Sequence, residues 1–125
     1  MKWDIAVDNM DRKKQLKEQY KQMRTDMGVF IVKKKNDNKY LLVGTQNLKG
    51  MMNRVKFQLE NSSYPNIELQ KEWNEAKPDD FEFTVLETLE YDKDESKTDY
   101  SEEVNIILIM LTEKLSDDNM VPYSK

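Results

Sequence analysis

The chain has 125 residues, 20 Lys plus Arg against 24 Asp plus Glu for a formal charge of −4, 38% apolar residues, and neither cysteine nor histidine. This length buries one core, and 35% charged residues with three glycines and three prolines describe a globular rather than a disordered chain. The two missing residue types exclude disulfides, thiolate nucleophiles and imidazole-based hydrolases or metal sites, which leaves Tyr, Lys, Arg and carboxylates for any chemistry.

Residues 1–9 show no periodicity and read as a loosely held segment ahead of a domain over 10–115, with 116–125 as a C-terminal tail. Asp11 is placed to cap a helix running to about Met27, on which Leu16, Tyr20, Met23 and Met27 share one face. Lys13, Lys17, Lys21 and Arg24 form a basic stripe beside it. Such a stripe either lays cations along a nucleic-acid backbone or drapes long side chains over the apolar edge with their heads in water.

Gly28 ends that helix, and residues 29–35 and 39–43 read as two strands joined by Asn36-Asp37-Asn38. Their consecutive apolar residues, Val29 to Val32 and Leu41 to Val43, imply cover on both faces of a sheet. Helices follow from about Asn47 to Leu59 and from Ile67 to Glu75, the second ended by Pro78. FEFTVLETL, residues 81–89, alternates as a strand, YDKDESKTDY is an acidic linker, and Ser101 is placed to cap a last helix. On that helix Val104, Ile107, Leu108, Leu111 and Leu115 form one stripe while Ile106 and Met110 fall on another side, the pattern of a deeply buried helix or of one shared in a homodimer. The order predicts an α+β domain with a small three-stranded, largely antiparallel sheet flanked by helices on both faces.

Charge is divided unevenly: residues 1–60 carry 14 basic against 7 acidic side chains, net +7, and residues 61–125 carry 6 against 17, net −11. The front half offers Lys33, Lys34 and Lys35 at the end of the first strand and Lys49, Arg54 and Lys56 on the following helix, besides the stripe from Lys13 to Arg24. Clustered cations of this kind suit phosphate, with DNA as the expected partner. No run approaches the roughly 18 apolar residues a membrane-spanning helix needs, and the first residues lack the apolar core of a secretory signal, so the expected compartment is the cytoplasm with no membrane partner.

In order, Gly28-Val29-Phe30, Leu42-Val43-Gly44 and the hairpin between them resemble the two motifs of the GIY-YIG nuclease superfamily. Thr45-Gln46-Asn47-Leu48-Lys49, then Phe57, Leu59, Asn66, Leu69-Gln70, Trp73, Asp80-Phe81, Phe83 and Val85-Leu86-Glu87 are similar to a small bacterial subfamily that also begins Met-Asp-Arg-Lys-Lys, as Met10 to Lys14 does here. The resemblance implies two motif tyrosines that handle the proton of the attacking water, a helical arginine that steadies the phosphate, and a glutamate that holds one Mg²⁺ or Mn²⁺. Phe30 stands at the first tyrosine and Leu42 at the second, with Tyr40 two residues earlier on the same strand face. The arginine position falls near Met51, with Arg54 one turn on, and Glu103 is the candidate metal ligand at the start of the last helix, where Glu102 and Glu103 also suit the positive helix end.

These substitutions predict a nuclease-like domain that is catalytically silent, needs no cofactor and retains DNA binding through its basic half. Two alternatives stand beside it: a protein-interaction or self-associating scaffold, and a weak divalent-metal-dependent endonuclease using Tyr40, Arg54 and Glu103.

Overall fold

The computed structural model describes residues 24–123. At its centre is β1 (Met27–Lys34), buried without interruption from Met27 to Val32. That run is sustained because the strand has a partner on each edge and helices on each face. The helix expected over 11–27 has its first thirteen residues outside the described ones; Arg24–Asp26 are not helical, and Met27 already pairs opposite Leu89 with its side chain sealed. Burying a methionine completely between strand partners outweighs the helical turn expected at this position.

β2 (Lys39–Thr45) folds back antiparallel on β1, opposing Phe30 to Val43 and Ile31 to Leu42. β3 (Phe81–Leu89) pairs antiparallel with the other edge of β1 and carries a bulge opposite Val29/Phe30. The sheet has a fourth strand that the three-stranded expectation lacked: β4 (Val121–Pro122) lies parallel to β2, giving the order β3-β1-β2-β4. Two residues carry no readable alternation, and what fixes this strand lies outside it. Val121 N–H donates to Asn38 O at 2.9 Å, Tyr123 N–H donates to Tyr40 O at 2.8 Å, and the Tyr123 ring is buried in the core.

α1 (Leu48–Glu60) starts at Asn47, whose side-chain oxygen accepts from Gly50 N–H at 2.9 Å. Leu48, Val55 and Leu59 recur at helical spacing and bury against Phe30 and Val32. α2 (Ile67–Glu75) starts at Asn66, which accepts from Leu69 N–H at 3.1 Å. The buried Gln70 amide joins the two helices: it donates to Leu59 O and to Asn74 Oδ1 and accepts from Tyr64 N–H. Its donors and its acceptor are thus satisfied, as burial of an amide requires.

α3 (Ser101–Asp117) covers the opposite face, with Val104 seated against Gly44. Its cap differs from the expected Ser101. Tyr100 holds the cap position without a side-chain bond, and the Asp99 carboxylate accepts from both Ser101 N–H and Ser101 Oγ–H. These bonds, the hydroxyl first, hold the Asp99 carboxyl below the usual range. An acid one residue before the cap position thus satisfies a free amide of the first turn and meets the positive helix end.

Candidate functional site

The motif positions point away from each other. Directly opposed residues share a face and successive residues alternate, so Phe30, opposite Val43, projects toward α1 and α2, while Leu42, opposite Ile31, projects toward α3. Phe30 is fully buried, its ring stacked on Phe83 at 6.3 Å between centroids; Phe83 in turn meets the edge of Trp73 at 6.4 Å. Tyr40 faces α3 with Leu42 and is 2% exposed, its hydroxyl buried and without a hydrogen-bond partner. Burial pushes the Tyr40 phenol up, away from the phenolate that base catalysis needs.

Arg54 lies on the solvent side of α1, across the sheet from Tyr40. Glu103 belongs to the first turn of α3, where its carboxylate pairs with Lys97 Nζ at 2.5 Å. That bond also raises the Lys97 pKa, and the same ammonium sits 4.9 Å from the centre of the Tyr100 ring. Tyr100 N–H donates to Gln46 Oε1 at 3.0 Å, which fixes the start of α3 at the far end of β2, about 20 Å of strand from Tyr40. The hydroxyl, the guanidinium and the carboxylate therefore do not share a cleft. A hard divalent ion needs several oxygen ligands; Glu103 is engaged by a lysine, and among the described residues no three acidic side chains converge. Among the described residues, the donor set does not fit Mg²⁺ or Mn²⁺.

Of the expected cationic residues, Lys13, Lys17 and Lys21 lie outside the described ones. Arg24 stacks its guanidinium 4.7 Å from the centre of the Tyr91 ring. Lys33 is committed to Glu82 at 3.6 Å and to the carbonyls of Lys34 and Asp37. Lys34 is half-buried at the end of β1, and Lys35 is exposed beyond it, with its N–H donating to Asp80 O at 2.7 Å. Lys49, Arg54 and Lys56 are all exposed on α1. Lys49 and Lys56 share one flank with Asn53 between them, and Arg54 and Phe57 form the outer surface. Phe57, 64% exposed, went unread as a surface residue because an aromatic in an amphipathic helix is expected inside.

Two cavities flank Arg24 and Thr25. One, about 540 Å³, opens between the Lys49 flank of α1 and β3. The other, about 370 Å³, lies where Gln46, Asn47, Tyr91, Lys97 and Thr98 meet. Gln46 holds the second together: its amide donates to Thr98 O and accepts from Tyr100 N–H, while its carbonyl accepts from Thr25 Oγ1–H. Sequence reading placed Gln46 only as part of a motif; its partners are 21 to 54 residues away and leave no local signal.

A sheet with an antiparallel centre, two helices on one face and a long helix on the other is the fold of the GIY-YIG nuclease catalytic domains, which is the fold that Gly28-Val29-Phe30 and Leu42-Val43-Gly44 suggested. The chain is similar to the catalytic domain of the homing endonuclease I-TevI at a TM-score of 0.60 and 19% identity, over 79% of this chain and 99% of that one. A mutant of the same catalytic domain, described as that of an intron endonuclease, gives 0.60 and 19% over 80% and 93%. No family model and no curated protein matches the sequence.

Proposed function

We propose that this is a nuclease-like domain that binds nucleic acid and does not cut it. The observation that carries the reading is the dispersal of the candidate groups: Phe30 is sealed in the α1/α2 core, Tyr40 is buried on the α3 side, Arg54 is in solvent across the sheet, and Glu103 is held by Lys97. Hydrolysis of a phosphodiester needs a proton acceptor and a charge stabiliser around one phosphorus atom, and losing each costs roughly 10²–10⁴ in rate. Binding needs less order. Lys49, Arg54 and Lys56 on one exposed helix, with Phe57 among them, supply cations and a stacking surface for a phosphate backbone and its bases.

Fluorescence anisotropy with labelled duplex and single-stranded DNA tests this. Binding is expected at low salt and to fall steeply as salt rises. The triple variant Lys49→Glu, Arg54→Glu, Lys56→Glu is expected to weaken it at least tenfold and to flatten the salt dependence by about two to three released ions. Absence of binding at low salt, or an unaffected triple variant, overturns the reading.

A second reading, a self-associating or protein-binding scaffold, is favoured by α3. Ile106, Ile109 and Met110 are 50%, 51% and 63% exposed on its outer side, one contiguous apolar stripe at helical spacing. Sedimentation equilibrium of the chain beside Ile106→Asp separates the two: a dimer abolished by the substitution supports this reading, and a monomer at high concentration removes its self-associating form.

A further inference from the structure

We propose that the larger cavity, between α1 and β3, accepts one unpaired nucleotide, its base on the apolar floor and its phosphate on the cations at the rim. This rests on the nucleic-acid-binding reading and narrows it to single strands. The volume of about 540 Å³ lies within the usual range for small-molecule sites and is ample for a nucleoside monophosphate. Leu48, Met52 and Val85 form the hydrocarbon part of the wall, with Arg24, Thr25, Asp26, Lys49, Asn53 and Thr88 as its polar part. A planar, weakly hydrated base gains by leaving water for such a floor, and an amide beside it can pair with a base edge. Asp26, the acid in the wall, stands beside the start of α1, its carbonyl accepting from Leu48 N–H at 2.8 Å, and its carboxylate offers an acceptor to an exocyclic amino group.

The surroundings extend the site in two directions. Lys49 and Lys56 stand two helical turns apart on the same flank, about 10 Å along the axis, so a backbone following α1 passes the mouth of the cavity. On the Arg24 side, Arg24 and Thr25 are shared with the smaller cavity, whose own cation, Lys97, is already held by Glu103. In a duplex the bases are stacked and paired and cannot enter such a recess, whereas a single strand presents them at little cost. Val85 is 41% exposed on the edge strand β3, so the floor is reachable from solvent.

The test uses the full chain. The methyl resonances of Met52 and Val85 are followed during titration with AMP and, separately, with inorganic phosphate, and anisotropy is measured for single-stranded and duplex oligonucleotides with the chain and with Val85→Glu. AMP is expected to shift both methyls where phosphate alone does not. Single strands are expected to bind about tenfold more tightly than duplex, and Val85→Glu to abolish that preference while duplex binding stays. Equal affinities unaffected by Val85→Glu, or methyls that AMP leaves in place, overturn the cavity proposal even if the α1 surface binds DNA. Methyl shifts with AMP in a chain that binds neither polymer support the cavity and overturn the reading on which its polymer form rests.

Discussion

Replacing Gly28 with alanine is expected to remove a large part of the domain's stability, roughly 3–5 kcal/mol out of the roughly 5–15 kcal/mol typical of such domains. Gly28 has φ +155°, a conformation that L residues rarely adopt, and it pairs with Thr45 on one side and Thr88 on the other. A methyl group there would stand 1.9 Å from Glu87 O and 2.8 Å from Thr88 Cα. Both are backbone atoms of β3, so no rotamer change relieves the contact, and the β1–β3 ladder next to the bulge has to open. Gly50→Ala is the matched control. There the new methyl meets only the Asn47 side chain, and about 1 kcal/mol of helix propensity gained offsets about 1 kcal/mol of capping lost. Urea unfolding followed by circular dichroism should show a large drop in midpoint for Gly28→Ala and nearly none for Gly50→Ala. Equal midpoints for the two would mean that β3 is not bound to β1 as described.

Much of this fold was legible in the sequence, and the illegible parts share a cause. The hairpin could be read because Val29 to Val32 and Leu41 to Val43 are runs that only a doubly covered sheet sustains. α1 and α2 could be read because Leu48, Val55 and Leu59, and Leu69 and Trp73, recur on one side of a helix. β4 could not, because it pairs with residues about eighty positions earlier and is specified by Tyr123, one aromatic in a polar tail. The site failed to be legible for a subtler reason. The turn between Lys34 and Lys39 opposes Phe30 to Val43, not to Leu42. One residue fewer or more in that turn would bring Phe30 and Leu42 to the same face, since register shifts by one exchange the faces. The turn is fixed by Asn36 in the left-handed region, φ 63°, and by Asp37 N–H donating to Lys34 O at 3.2 Å, and neither is visible in an apolar pattern.

The same register decides what tyrosines placed at the two motif positions would do. Phe30→Tyr with Leu42→Tyr is expected to yield no strand scission on plasmid with Mg²⁺ or Mn²⁺, and Phe30→Tyr alone to lower stability by about 1–3 kcal/mol. The added hydroxyl at residue 30 would enter a core whose buried side chains are hydrocarbon except for Tyr123, while the one at residue 42 would emerge across the sheet. Neither reaches the phosphate that Arg54 could hold. Tyr40→Phe is the converse: it deletes a buried hydroxyl that has no partner, so stability is expected to be unchanged or to rise by up to about 1 kcal/mol. Urea midpoints for the three variants and a nicking assay on the double variant check this directly. Cleavage that appears with the double variant and vanishes on chelation would show that residues 30 and 42 do serve one site, which the pairing of Phe30 with Val43 forbids.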